Sequence, residues 1–279
     1  MKVGVLGGGR MGAGIAHAFV LVGCEVAVVE RDEGTADAAR ARVLTSIARS
    51  IERGATSLDA DRLAAGLRVG DDITEFARCE LVIEAVPEDR AAKQNALMRI
   101  ETAAPDAAIA SNTSSISIDD LAAPLDRPSC LLGLHFFNPV PASALVEIVA
   151  GRATDPALVD RARGWVEMIG KTPIVVRDSP GFASSRLGIA LALEAIRMLD
   201  SGVASAEDID RAMELGYRHP MGPLRTTDIV GLDVRLGIAE ELQAGLGERF
   251  APPALLRQLV AEGKLGRKSG EGFYRWETP

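Results

Sequence analysis

The first fourteen residues constrain this chain more than any later stretch. Lys2–Leu6 (KVGVL) is a short, β-branched run of the kind that forms a buried strand. It is followed at once by GGGRMG and then by an apolar segment through Ile15–Val22 with helical spacing. Gly7, Gly9 and Gly12 stand in the order G-x-G-x-x-G. The first glycine permits a tight strand-to-helix turn. The second lets backbone approach a ligand closely, and the third lets the helix pack hard against the strand. The N–H groups at the helix start then point at whatever anion lies in the turn. Arg10 and Met11, inside the loop, join Gly7, Gly9 and Gly12 as candidate binding residues.

Glu25–Val29 (EVAVV) returns as a second strand, and Glu30 ends it about 20 residues after the glycines, where a dinucleotide-binding unit needs an acid. A carboxylate there accepts from an adenosine ribose 2′-hydroxyl and repels a 2′-phosphate, so NAD is favoured over NADP. Arg31 next door pulls the other way. The alternation continues: a helix over Glu33–Arg53, strands at Leu67–Val69, Leu81–Ala85 and Ala107–Ala110, with a helix at Ala91–Thr102. Strands at Leu131–His135, Leu145–Val149 and Pro173–Val176 follow, with a helix over Asp155–Ile169. Right-handed βαβ units of this kind build a mostly parallel sheet covered on both faces. After the turn DSPGF (178–182) only helical patterns remain, over Arg186–Leu199, Ala206–Leu215, Thr227–Leu246 and Pro253–Glu262. The expected fold is α/β: a Rossmann-type NAD-binding domain over 1–180 and an all-α domain over 181–279, to which the resemblance given below assigns substrate binding and dimerisation.

Two polar residues interrupt apolar strands. His135, one of three histidines, ends one run, and Glu147 sits inside the next. Burying either one unpaired is costly. Only nine residues separate the two strands, too few for a crossover helix, so they should run antiparallel and let His135 meet Glu147. His17, inside the first helix, reads as structural, and His219, before Pro-Met-Gly-Pro, as a cap. Thr113 and Ser115 read as satisfying turn backbone.

A net charge of −8 argues against nucleic acid or an anionic membrane surface as partner. Cys24, Cys79 and Cys130 lack the spacing of a disulfide framework or zinc site, and no metal ligand set is expected. No apolar run approaches the ~20 residues needed to cross a bilayer, and no signal peptide is visible, so a cytoplasmic location is expected.

The blocks VIEAVPED (82–89), SNTSSISI (111–118), GLHFFNPVP (133–141), LVEIV (145–149), DSPGF (178–182), HPMGPL (219–224), DIVGLD (228–233) and LGRKSGEGFY (265–274) follow in this order. With them the chain resembles the NAD-dependent L-3-hydroxyacyl-CoA dehydrogenases, including the 3-hydroxybutyryl-CoA dehydrogenases, over nearly its whole length. The resemblance implies that His135 is the general base for the substrate 3-hydroxyl, that Glu147 orients it, and that Ser114 bonds the substrate oxygen. It also implies that Glu88, Lys93, Asn138 and Lys268 contact NAD. A homodimer through the helical domain and an active site in the cleft between domains are family traits.

Four departures bear on the substrate. Ser185 stands where the family has an active-site Asn, and Ala144 where it has Lys before LVE. IERGATS keeps Arg53 but has Ala55, and GPLRTTD brings Arg225, Thr226 and Thr227 toward the acyl site. Reduced positive charge on the CoA route leaves open a short polar acyl group, such as glyceryl, on an acyl carrier protein of polyketide extender-unit biosynthesis. A catalytically weak NAD(H)-binding module is a lesser alternative.

Overall fold

The computed structural model describes residues 1–277. The chain divides into two compact units, Met1–Ser179 and the segment from Pro180 onward.

In the first unit the strands are β1 (Lys2–Leu6), β2 (Glu25–Val29), β3 (Leu67–Gly70), β4 (Leu81–Glu84), β5 (Ala108–Ser111), β6 (Leu131–Phe136), β7 (Leu145–Ala150) and β8 (Thr172–Arg177). The helices are α1 (Arg10–Leu21), α2 (Glu33–Glu52), α3 (Ala60–Ala65), α4 (Arg90–Ala103), α5 (Ile118–Ala122) and α6 (Pro156–Met168). Among the described residues these strands form one eight-stranded sheet in the order β3-β2-β1-β4-β5-β6-β7-β8. Strands β1 to β6 pair in parallel, β7 runs antiparallel to β6, and β8 runs parallel to β7. The order reverses between β1 and β4, the switch point where doubly wound sheets open a crevice at their carboxyl ends. The glycine loop leaves β1 there and the Glu84–Glu88 turn leaves β4. Val3, Val5, Ile15, Phe19, Val43 and Ile47 pack the helices onto the sheet and are at most 3% exposed.

The second unit is helical: α7 (Ser184–Asp200), α8 (Ala206–Tyr217), α9 (Pro223–Val230), α10 (Leu232–Leu246) and α11 (Ala254–Ala261). The apolar run at 187–199 divides its duties. Ile189, Leu193 and Ile196 are buried in this unit's core, while Leu187 is exposed. The single helix expected over Thr227–Leu246 is two, because Gly231 takes φ +107°, which no helix admits. Two short helices carried no legible period. α3 and α5 are six and five residues long and are set by their caps, Asp59 accepting from the Arg62 N–H and Ser117 from the Asp120 N–H. Among the described residues no helix is long and apolar enough to cross a membrane.

Candidate active site

The register of β6 against β7 sets His135 opposite Glu147. Residues directly opposite in an antiparallel pair point to the same face, so their side chains must meet. They do: His135 Nδ1 lies 2.7 Å from Glu147 Oε2, with the carboxylate wholly buried and the imidazole nearly so. An ionised carboxylate only accepts, so Nδ1 carries the hydrogen and the basic lone pair of the neutral ring belongs to Nε2. This arrangement is chemically a proton acceptor of fixed tautomer. The Phe137 ring lies 4.4 Å from the imidazole, centroid to centroid.

The loop after β5 is tied to the same strand end, for Phe136 N donates to Asn112 Oδ1 at 3.0 Å. Glu88 gathers the rest of that loop. Its Oε1 accepts from Thr113 Oγ1 (2.6 Å), Ser114 N (2.9 Å) and Ser115 N (3.2 Å), with Ser114 Oγ at 3.3 Å. Thr113 and Ser115 therefore shape the turn, as their position suggested, although through Glu88 rather than through backbone alone. Burial pushes the Glu88 carboxyl up, but the Lys93 charge and the bonds from Thr113 and Ser114 outweigh it and hold it below the usual range.

Beneath Glu88 lies a network that the motifs did not show. Lys93 is fully buried, and its ammonium reaches Glu84 Oε1 (2.8 Å), the Val86 carbonyl (3.2 Å) and Glu88 Oε2 (3.3 Å). Glu84, also fully buried, accepts from Val86 N and from Ser111 Oγ as well. Burial keeps its carboxyl above the usual range despite Lys93 and these donors. Two of its three hydrogens are donated, to Glu84 and to the Val86 carbonyl, and its charge faces Glu88 as an ion pair. Lys93 thus bears on the loop through Glu88.

The glycine loop fits a pyrophosphate. Gly7 has φ +95°, and a Cβ on Gly12 would stand 1.8 Å from the Gly7 carbonyl oxygen, so helix and turn touch backbone to backbone. A Cβ on Gly9 would meet nothing within 4 Å. The protein's own packing does not demand glycine there; a cradle left open for a ligand does. Glu30 Oε1 accepts from Gly8 N at 2.7 Å, which joins the acid at the end of β2 to the loop. Arg31 is turned onto Asp32, Nε to Oδ2 at 3.0 Å, so the guanidinium that could have received a 2′-phosphate is already paired.

Beside the loop, a cavity of about 570 Å³ is lined by Arg10, Arg42, Arg49, Ser46 and Asn138, among others. Arg42, Ser46 and Arg49 follow one another at helical spacing on α2, a signal present in the sequence but not weighed there. A Cβ on Gly14 would come within 2.9 Å of Val140, so α1 carries glycine where the Asn138–Pro141 loop crosses it. Lys171 holds that loop from below, its Nζ donating to the carbonyls of Val140 and Ser143. Met11 is half-buried and packs against the core. His17 is buried with Nε2 2.9 Å from Ser50 Oγ, and burial lowers its pKa.

In the helical unit Ser185 lies in the first turn of α7 and is half-buried. Lys268 pairs with Asp233 at 2.6 Å. Arg225 lies over the Tyr274 and Trp276 rings, 4.4 and 5.5 Å from their centroids. Thr226 and Thr227 donate back to the carbonyls of Gly222 and Pro223 four residues earlier, as mid-helix threonines do. The two threonine hydroxyls are thus satisfied within this unit, while Arg225 is exposed. His219 acts at the end of α8 through its backbone, its N–H donating to Met213 O beyond Arg218 at φ +59°.

Residues 2–179 match the NAD-binding domain of the 3-hydroxyacyl-CoA dehydrogenases, and residues 181–276 match their C-terminal domain. The chain belongs to the 3-hydroxyacyl-CoA dehydrogenase family. It is 41% identical to the 3-hydroxybutyryl-CoA dehydrogenase of Mycobacterium tuberculosis, over 99% of this chain and 98% of that protein. It is 39% identical to the one from Bradyrhizobium diazoefficiens, over 98% and 94%. The crystal structure of (S)-3-hydroxybutyryl-CoA dehydrogenase from Ralstonia eutropha superposes with a TM-score of 0.94 at 37% identity, covering 99% of both chains. As a family member the chain is an NAD-dependent 3-hydroxyacyl-CoA dehydrogenase, an oxidoreductase acting on a CH–OH group.

Proposed function

We propose that the protein oxidises the 3-hydroxyl of a short 3-hydroxyacyl-CoA, with 3-hydroxybutyryl-CoA as the benchmark substrate, and runs the reverse reduction equally. The observation that carries this reading is the 2.7 Å pairing of His135 Nδ1 with Glu147, which supports Nε2 as the base. Nε2 takes the hydroxyl proton as the C3–O bond becomes a carbonyl. Glu147 stabilises the imidazolium that results, the part of the third member in a catalytic triad. Bound NAD supplies the acceptor for the hydride leaving C3. Gly7, Gly9 and Gly12 cradle its pyrophosphate, Glu30 takes the ribose, and Arg10, Glu88 and Asn138 complete the contacts. Ser114, held by Glu88, bonds the substrate oxygen.

CoA rather than a protein carrier is favoured by the arginine-lined cavity. The positive charge missing at Ala144 and Ala55 is replaced by Arg10, Arg42 and Arg49, which converge on one space large enough for phosphates. Thr226 and Thr227 are bonded back onto their own helix and add no polar group that a carrier-protein reading could use. The helical unit also exposes large apolar side chains, Leu187 at 71% and Leu215 at 81% with Tyr217 and Val203 beside them in exposure. Single exposed apolar residues are ordinary, but several on one small unit suit a self-association face, and a homodimer is expected. Sedimentation as a monomer at micromolar concentration would refute it. The activity is tested by following NADH absorbance with acetoacetyl-CoA. Wild-type protein should oxidise NADH, and His135→Gln should lower kcat by at least about 10³-fold while NADH affinity stays within about twofold. Equal turnover in the two proteins would end the assignment.

A further inference from the structure

One carboxylate oxygen of the first unit has more donors around it than it can hold. Glu88 Oε2 faces the Lys93 ammonium at 3.3 Å, so the loop after β5 gathers on Oε1. Thr113 Oγ1 stands 2.6 Å from it, Ser114 N 2.9 Å and Ser115 N 3.2 Å, with the Ser114 and Ser115 hydroxyls at 3.3 Å each. A carboxylate oxygen offers about two lone-pair sites. The two shortest contacts, from Thr113 and from the Ser114 N–H, fill them. Both serine hydroxyls are left at the margin.

The direction of the Thr113 hydrogen is fixed. Thr113 is wholly buried, and its oxygen accepts from Ile116 N at 3.0 Å, with Ser115 N at 3.4 Å. A backbone N–H only donates and an ionised carboxylate only accepts, so the hydroxyl hydrogen points at Glu88. Glu88 is ionised at neutral pH, its carboxyl being held below the usual range. A short hydroxyl-to-carboxylate bond of this kind is charge-assisted and stronger than a neutral one, so it displaces hydroxyls standing farther off.

We infer that Thr113 is a positioning residue for the reaction: by occupying Glu88 Oε1 it keeps the Ser114 hydrogen off the carboxylate and free for the C3 oxygen of the substrate. This rests on the dehydrogenase reading above and on Ser114 meeting that oxygen. As hydride reaches C3 of a 3-oxoacyl thioester, the carbonyl electron pair moves onto the oxygen, and the proton on His135 Nε2 then neutralises it. A donor already aimed at that oxygen stabilises the charge while it develops. Without the Thr113 hydroxyl, Glu88 has an open site within reach of Ser114 Oγ. An ionised carboxylate is a stronger acceptor than a ketone, so the Ser114 hydrogen turns back onto the protein.

The test compares Thr113→Val, which fills the same space without a hydroxyl, with Thr113→Ser, which keeps one. With acetoacetyl-CoA and NADH, Thr113→Val should lower kcat by at least about 10-fold, against roughly 10²–10³-fold for outright loss of one oxyanion donor. KM for NADH should stay within about twofold, and Thr113→Ser should restore kcat. Adding Ser115→Ala to Thr113→Val leaves the Ser114 hydroxyl to answer Glu88 and should deepen the loss. Ser114→Ala should cost roughly 10²-fold in wild type but less than about threefold more in Thr113→Val, because the hydrogen it removes is already diverted. A second readout needs no turnover and is blind to a misfolded fraction. Calorimetric Kd values for acetoacetyl-CoA and for butyryl-CoA, which lacks the C3 oxygen, are taken with NAD present so that no reduction occurs. Wild type should prefer acetoacetyl-CoA, and Thr113→Val should lower that preference by about 2–10-fold, the worth of one hydrogen bond. An unchanged kcat in Thr113→Val, additive losses with Ser114→Ala, or an unchanged Kd ratio overturns the inference. So does a loss carried by KM for NADH instead of kcat, which would show that the hydroxyl only braces the turn. If wild type turns over no thioester while the Kd ratio behaves as expected, the dehydrogenase reading fails and the role of Thr113 stands.

Discussion

Replacing Lys93 with methionine tests the buried network under the active-site loop. In the folded protein the ammonium of Lys93 is 1% exposed and faces Glu84 at 2.8 Å, itself at 0%. Methionine fills much of the same space but leaves Glu84 as a buried carboxylate without a counter-charge. Removing one partner of such a pair costs about 3–5 kcal/mol, a large part of the ~5–15 kcal/mol that holds a typical domain folded. At about 2–4 °C per kcal/mol for a unit of this size, Tm should fall by roughly 6–20 °C. The loss should depend on pH. Burial already holds the Glu84 carboxyl above its usual value, and without Lys93 it rises further. Once protonated, Glu84 needs no cation, so the deficit should be greatest at pH 8 and shrink as pH falls through the raised value. Glu88 adds the same sign. Its lowered carboxyl contributes stability present above the unfolded value and lost on acidification, and the variant lacks the share owed to Lys93. Urea unfolding at pH 8 and pH 5.5 measures both. The double variant Glu84→Gln with Lys93→Met should recover most of the loss, since a neutral pair leaves no charge stranded. An equal deficit at both pH values, or a double variant no better than the single one, would refute this account.

The other expectations are compact. Glu147→Gln should lower kcat by roughly 10²–10⁴-fold, because the amide cannot stabilise the imidazolium; kcat within threefold of wild type would show that Glu147 only packs. Gly9→Ala should leave the urea midpoint unchanged, since a Cβ there meets nothing within 4 Å, yet weaken NADH binding in a fluorescence titration. Gly12→Ala should destabilise the first unit outright, its Cβ falling 1.8 Å from the Gly7 carbonyl oxygen. Arg42→Ala with Arg49→Ala should raise KM for acetoacetyl-CoA and leave KM for the pantetheine thioester alone; equal effects on both would take these arginines off the CoA route.

Much of this protein is legible without coordinates where the signal is local. The glycine loop, Glu30 at the end of β2, and the strand–helix alternation all follow from spacings within about thirty residues, and the first unit folds accordingly. The antiparallel turn of β7 follows from a linker too short for a helix. His135 and Glu147 announce themselves because a polar group in an apolar strand must have a reason. Legibility ends where two segments distant in the chain meet. No pattern in VIEAVPED tells that Lys93 lies beneath Glu84 and Glu88, because the depth of a helical lysine depends on what the sheet places over it. Nor does GPLRTTD reveal that Arg225 lies on Tyr274 and Trp276, fifty residues later.

The amino-acid order by itself determined which elements form and which residues have chemistry to offer, since periodicity, turn chemistry and strand length are properties of neighbours. Tertiary structure alone decided which charges are answered and by what: Lys93 by Glu84 and Glu88, and Lys268 by Asp233. The physical reason is that charge pairing is set by distance and burial in the folded chain, and neither can be read from separation along it.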